Sequence, residues 1–166
     1  MRATRTRKLL LGSLALLALA GLLGACGDPV VEAPDALEVV YLPLDGAVDV
    51  DPAVQPMVYF SGAVDGASIS ETSVLLASAT PGAEGCLEVT WTELGSGAAV
   101  DAMDPALVLI NPATASQDAF LLPQTCYRLT LTTAVKGSKL GPLADLGIPE
   151  RPGIGAEATF QTAPAP

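Results

Sequence analysis

Residues 125–133 have the sequence TCYRLTLTT, in which apolar and polar side chains alternate. In an extended chain, Tyr127, Leu129 and Leu131 fall on one face and the polar residues between them fall on the other. Alternation with a period of two is the signal of a strand with one face buried and the other solvated. The segment therefore predicts a β-strand that contributes three side chains to a hydrophobic core.

Short apolar runs separated by Gly, Pro, Asp and Ser lie on both sides of this strand. This rhythm is typical of an all-β sandwich, and no segment after residue 37 combines helical periodicity with helix caps. Including 125–133, the predicted strands span residues 38–42, 54–60, 73–78, 86–93, 106–110, 125–133 and 158–162. The fold prediction is an antiparallel β-sandwich of about seven strands.

The strand predicted at 86–93 shows a second clean alternation. Leu87, Val89 and Trp91 share one face, with polar residues between them. We therefore expect these three side chains to face the core. For Trp91 this packing role is preferred to a platform on which a sugar would stack.

The strand predicted at 106–110 is apolar on both faces. If Leu107 and Leu109 point inward, Val108 and Ile110 point outward. The outward pair would then be covered by a neighbouring loop or would form an interaction strip, because exposed apolar patches often mark interfaces.

The first 25 residues differ in kind from the rest of the chain. Four cations between Arg2 and Lys8 precede a run, residues 9–23, of Leu, Ala and Gly with one Ser. That run is short for a membrane-spanning helix, which needs about 20 apolar residues. Its length and its basic flank are those of a signal peptide.

Residues 23–26, LGAC, resemble the lipobox of bacterial lipoproteins, in which an aliphatic and two small residues precede a cysteine. The resemblance implies cleavage after residue 25 and lipid on Cys26, with acyl chains that hold the protein on a membrane. The Pro-containing and acidic stretch 26–37 is then a tether, followed by a folded domain at 38–166. Gly27 is not the aspartate that signals inner-membrane retention in enteric bacteria, so the resemblance favours the outer membrane.

After Cys26 the chain carries 18 acidic residues against four cations, a net charge of −14, and no histidine. Such a chain binds nucleic acid and anionic headgroups poorly by charge alone. We therefore expect no nucleic-acid partner. Lipid would supply the membrane contact, and the further partner would be an envelope protein or a glycan.

Two cysteines remain once Cys26 is lipidated. An exported chain enters an oxidising compartment, so Cys86 and Cys126 are predicted to form a disulfide. The alternation places both cysteines on outward strand faces, at strand starts, which neighbouring antiparallel strands would keep apart. The bond therefore requires a position at the rim or a loop conformation at Cys86. A two-cysteine metal site is the alternative, and it lacks histidine ligands.

Four segments resemble, in order and spacing, motifs of bacterial Ig-like domains of the surface-layer-protein (SbsA) type. They are PLDGAVDV at 43–50, VYFSGAVD at 58–65, LPQTCYRLTL at 122–131 and TFQT at 159–162. The resemblance implies an Ig-like sandwich in which the Tyr127 hydroxyl bonds to backbone at a corner. The cysteine pair and the long loop at 136–155 depart from the family pattern. The loop is either a functional element or a tolerated surface insertion.

Candidate chemical sites are few. Asp45, Asp49 and Asp51 are close in sequence and are candidate Ca²⁺ ligands, although each also has a role in a turn. Ser138 and Lys139 have the residue types of a hydrolase dyad, but no oxyanion hole or orienting group is evident near them. The sequence predicts neither a cofactor nor an enzyme.

These observations predict a lipid-anchored cell-envelope protein with a non-catalytic Ig-like domain. Its role would be binding, adhesion or structure. The alternative is an accessory module that binds calcium or a glycan, and an envelope enzyme is the third possibility. Because fold alone does not define function, the prediction depends on the resemblance and on the missing catalytic residue types.

Overall fold

The computed structural model describes residues 35–116 and 119–165, so the predicted signal peptide and Cys26 lie outside the described residues. One 3₁₀ turn, Gly66–Ser68, and eight strands are present in the described part. The strands are β1 Val39–Leu42, β2 Met57–Phe60, β3 Val74–Ala79, β4 Thr92–Leu94, β5 Ser96–Val100, β6 Leu107–Pro112, β7 Cys126–Thr132 and β8 Ile154–Gln161. No helix in this part of the chain is long and apolar enough to cross a membrane.

The strands form two antiparallel sheets of four. The first sheet has the order β1-β2-β6-β5, and the second has the order β4-β3-β7-β8. Strands distant in sequence are neighbours in both sheets, as in Ig-like sandwiches. The predicted all-β antiparallel sandwich is confirmed, with eight strands instead of seven.

The predicted strand at 125–133 becomes β7, which lies between β3 and β8 in the second sheet. Its alternation is confirmed, because Tyr127, Leu129 and Leu131 are all buried in the core between the sheets. The Tyr127 ring stacks on Phe160 of β8 with 5.5 Å between ring centroids. β7 therefore joins β3 to β8 within the second sheet, and its inward side chains fill the centre of the core.

The buried Tyr127 hydroxyl is held by backbone. The amide N–H of Leu122, five residues earlier, donates a hydrogen bond of 2.7 Å to it. A tyrosine that bonds back to preceding backbone forms the corner expected from the sequence. This contact fixes the turn that leads into β7.

The prediction of a strand at 86–93 is wrong except at the end of that segment, where Thr92–Leu94 forms β4. Cys86 lies in a turn and is bonded to Cys126, which occupies the outward side of β7. The disulfide therefore holds residues 80–91 against the outside of the second sheet. Leu87 is consequently 66% exposed, and Trp91 lies outside the core. Of the two geometries that the sequence left open, the loop conformation at Cys86 is the correct one.

The predicted orientation of the strand at 106–110 is also wrong. Val108 and Ile110 are fully buried in the core, and Leu107 and Leu109 are the outward residues. A shift of one residue exchanges the two faces of a strand, and here all four residues are apolar. The pairing of β6 with β2 and β5 decides the orientation, and the sequence pattern does not contain that information.

Two further strands, β5 and β8, differ from the prediction. β5 was not predicted, because its sequence SGAAV has small side chains and little apolar alternation. Gly95 lies between β4 and β5, so the chain passes from the second sheet to the first within one residue. β8 begins at Ile154 instead of residue 158, because alternate residues from Ile154 to Phe160 are buried.

Replacing Tyr127 with Phe tests the corner. Tyr127→Phe removes the acceptor for the Leu122 N–H and should lower the free energy of unfolding by about 1–2 kcal/mol. The measurement is urea denaturation followed by circular dichroism. The exposed Tyr59, replaced by Phe, is the matched control and should change stability by less than about 0.5 kcal/mol. Equal effects of the two substitutions would contradict the structural role of the corner.

Candidate functional site

The outer face of the first sheet is apolar across three neighbouring strands. The register places Val40 opposite Tyr59 and Leu42 opposite Met57. The same rows continue into β6 and β5. Side chains paired across antiparallel strands share a face. The apolar face, as we name it, consists of Val40, Leu42, Met57, Tyr59, Ala99, Leu107 and Leu109.

Exposure of this apolar face is substantial. Val40 is 56% exposed, Leu42 is 40% exposed and Tyr59 is 39% exposed. The residues that alternate with them, such as Val58 and Val108, are fully buried in the core. Contiguous exposed apolar side chains are uncommon on monomeric proteins and often mark interaction sites.

The border of the apolar face is polar and acidic. Glu38 extends the β1 row, and its carbonyl accepts a hydrogen bond from the Ser61 N–H. Asp101 follows β5, and its N–H donates to the Leu107 carbonyl. At the opposite border, the Gln55 amide donates to Asn111 over 2.8 Å. The four strands of this sheet contain no Lys or Arg.

The second sheet has a covered outer face instead. Residues 80–91 cross it, and the Arg128 guanidinium lies 4.7 Å from the centre of the Trp91 ring. On the neighbouring strand, Glu157 forms ion pairs with Arg128 and Arg151. The Thr130 hydroxyl donates to the same carboxylate over 2.9 Å. Predicted as a core residue, Trp91 instead packs against a cation on the outside of this sheet.

The charges of this cluster stabilise one another. Burial opposes ionisation of Glu157, but hydrogen bonds from Arg151 and Thr130 outweigh it, so the pKa of Glu157 is lowered. The hydrogen bond to Glu157 in turn raises the pKa of Arg151. The donors and acceptors of this cluster bond to one another. The cluster is therefore suited to a structural role, in which it covers the outer face of the second sheet.

A shallow cleft of about 360 Å³ lies beside the disulfide. Three segments line it, residues 45–48, residues 84–87 and the end of β8. Leu87 and Val48 stand at its mouth and are both largely exposed. Its size is at the lower end of that found for small-molecule sites.

The three aspartates considered as Ca²⁺ ligands have separate local contacts. The Asp45 carboxylate accepts from the Thr159 N–H at the edge of β8, over 2.8 Å. Asp51 accepts from the Ala53 N–H over 2.9 Å. Asp49 adopts a left-handed backbone with φ 54°. Among the described residues, no three acidic or cysteine side chains form a cluster suited to a metal ion.

Ser138 does not point toward a general base. Its hydroxyl donates to the carbonyl of Ala63 over 2.9 Å, and the adjacent Lys139 is exposed. The hydroxyl therefore connects its loop to the segment after β2.

The loop between β7 and β8 is anchored to the sandwich. Leu143 is buried in the core, next to β8. The Asp145 carboxylate accepts from the N–H groups of Gly147 and Gly153, each over 2.8 Å. Those hydrogen bonds lower the pKa of Asp145. The loop therefore follows a defined path.

Comparison with known proteins adds little. No family model matches the chain, and no curated protein matches it. Among solved structures, it is similar to PcoC, a copper resistance protein from Escherichia coli, crystallised with selenomethionine. The two share 16% identity over 74% of this chain and 95% of that chain, with a TM-score of 0.46. A similarity at this level carries no argument about function.

The sequence suggested an interaction strip at Val108 and Ile110, which are buried, and the apolar face was not predicted although a signal was present. The strands VVYL and MVYF and the first four residues of β6, LVLI, lack polar residues at alternate positions. Antiparallel sheets with one solvated face normally alternate. Three adjacent strands without alternation indicate that both faces of the first sheet favour contact with apolar surface.

The pKa of Glu157 predicts how stability depends on pH. A lowered folded-state pKa stabilises the protein at pH values above the ordinary carboxyl pKa of 4.5. That contribution declines as pH falls through the lower folded value. Glu157→Gln should therefore be less stable than the parent at pH 7, and the difference should shrink below about pH 4.5. Urea denaturation across pH 7 to 3 measures it, with Glu71→Gln as the control for losing one exposed charge. A difference that grows on acidification would contradict the cluster.

Proposed function

We propose that this protein is a lipid-anchored, non-catalytic module of the bacterial cell envelope that docks another envelope protein on its apolar face. The observation that carries the proposal is the absence of polar alternation on β1, on β2 and on residues 107–110 of β6. The first sheet therefore presents to water a surface with the composition of a buried one.

The anchor is inferred from sequence. A basic start, an apolar run and the LGAC segment at 23–26 support lipid on Cys26. Two or more acyl chains give stable attachment, whereas one chain binds a membrane only weakly. Gly27 supports placement in the outer membrane. The short tether at 26–37 would hold the sandwich near the bilayer surface. The resemblance to surface-layer Ig-like domains supports a binding or structural role.

Charge favours a protein partner over other occupants of the apolar face. Two copies placed face to face would bring Glu38 and Asp101 of each toward an equally acidic molecule. The net charge of −14 after Cys26 likewise disfavours anionic lipid headgroups. A protein surface with an apolar centre and a Lys- or Arg-rich border complements both features. We therefore assign the apolar face to a partner of that chemistry.

Replacing the lipidated residue tests the anchor. Wild-type protein expressed in Escherichia coli should incorporate labelled palmitate and sediment with membranes. Cys26→Ser should incorporate none and should not acquire the lipid anchor. Palmitate incorporation by Cys26→Ser at the wild-type level would contradict lipidation at this residue.

Placing a charge on the apolar face tests the docking. In detergent-solubilised envelopes, the wild type should migrate on native gels as a complex larger than the single chain. Val40→Lys and Tyr59→Lys should shift it to the single-chain position, because a buried unpaired charge and a basic partner border both oppose binding. Leu146→Lys places the same charge at an exposed apolar residue elsewhere and should leave the complex intact.

Two results would contradict the docking proposal. The first is identical migration of the wild type and all three variants. The second is recovery of two differently tagged copies in one complex, which would assign the apolar face to self-association.

A further inference from the structure

The β1 strand is an edge of the first sheet, and half of its backbone groups point away from β2. The Ser61 N–H donates to the Glu38 carbonyl, which fixes the hydrogen-bonding phase of the β1–β2 pair. In an antiparallel pair, alternate residues direct their N–H and C=O groups away from the partner strand. In β1 these residues are Val39 and Tyr41. Their backbone groups form no hydrogen bond with any described residue outside the strand pair.

The β8 edge of the second sheet is already covered. The Gly46 N–H donates to the Thr159 carbonyl and the Gln161 N–H donates to the Ala47 carbonyl. Val50 then pairs with Thr162 in a parallel bridge. At the other end of β8, the Leu146 N–H donates to the Ile154 carbonyl. The chain therefore protects β8 along most of its length, as proteins commonly protect sheet edges.

The two edges of the first sheet differ in their side chains. β5 contributes only Ala99 to the apolar face and is followed by the acidic Asp101. β1 contributes two exposed large side chains of the apolar face, Val40 and Leu42. A strand added beside β1 would continue the apolar rows and also satisfy the backbone of Val39 and Tyr41.

We infer that the partner docks by adding an extended segment to the β1 edge, with alternate apolar side chains beside Val40 and Leu42. This rests on the proposed function, and it specifies how the partner is held. Strand addition combines main-chain hydrogen bonds with pockets for alternate side chains. A Lys or Arg in the segment would lie beside Glu38. Pro43 ends β1 and limits the paired length to about four residues.

A synthetic peptide tests the inference without the natural partner. The probe is acetyl-Lys-Thr-Val-Thr-Val-Thr-Lys-amide, in which Lys and Val share one face, added to the soluble domain with residues 27–166. Amide hydrogen exchange should show that the Val39 and Tyr41 N–H groups become at least about tenfold more protected when the peptide is bound, because each gains a hydrogen bond. The same peptide with N-methyl groups on its three central amides keeps the side chains, and it should bind at least about tenfold more weakly.

A proline at position 39 supplies a second test. Val39→Pro removes an outward N–H and leaves the bonds to β2 in place, as prolines at sheet edges do. It should weaken peptide binding about tenfold, whereas Val39→Ala keeps the N–H and should bind much as the wild type does. Circular dichroism of each variant checks that the sandwich is folded.

The outcomes separate the two proposals. Peptide binding that leaves Val39 and Tyr41 unprotected, or that tolerates the N-methyl groups, would overturn strand addition while leaving docking on the apolar face intact. Absence of peptide binding up to about 1 mM would also overturn strand addition. Loss of the docking proposal itself would be seen in the native gels of Val40→Lys and Tyr59→Lys.

Discussion

The exclusion of water from both faces of β7 is the constraint on which this structure depends. Its inward side chains, Tyr127, Leu129 and Leu131, fill the centre of the core. Its outward side also carries buried groups, because Cys126 and Thr130 are almost inaccessible to water. A strand covered on both sides needs an additional layer outside the sheet. In this chain residues 80–91, the disulfide and the Glu157 cluster form that layer.

The two sheets differ because only the second one has such a layer within the described residues. Polar groups on its outer face are paired, through Glu157 with Arg151 and through Trp91 with Arg128. The first sheet carries no equivalent cover, although β1, β2 and β6 are as apolar outside as inside. The β1 edge, which pairs with no other described strand, lies at the border of this surface. The proposed docking and strand addition both follow from this asymmetry, with the partner supplying a layer that residues 35–116 and 119–165 do not provide.

The sequence predicts a strand and its buried face correctly where apolar and polar side chains alternate. β7 was predicted correctly because Tyr, Leu and Leu alternate with Arg and Thr. The orientation of β6 was predicted incorrectly because Leu107 to Ile110 offer no contrast, so pairing alone determines the buried face. β5 was missed because small side chains give no periodic signal.

The disulfide was predicted from cysteine count and compartment, but its effect on residues 80–91 required the tertiary structure. Alternation at Leu87, Val89 and Trp91 predicted a strand, but residues 86–88 form a turn in which Cys86 is bonded to Cys126. The apolar face could have been found in the sequence, because three predicted strands lacked polar alternation. Its contiguity depends on the strand order β1-β2-β6, which brings together segments separated by almost fifty residues.

The most direct measurement of the central claim is carbene footprinting of the full-length protein in intact envelopes and of the purified soluble domain. Val40, Leu42 and Tyr59 should be labelled in the purified domain and protected in the envelope. Leu87 and Leu146, which are exposed elsewhere, should be labelled equally in both. Equal labelling of Val40, Leu42 and Tyr59 in the two preparations would contradict the claim that this face is covered by a partner.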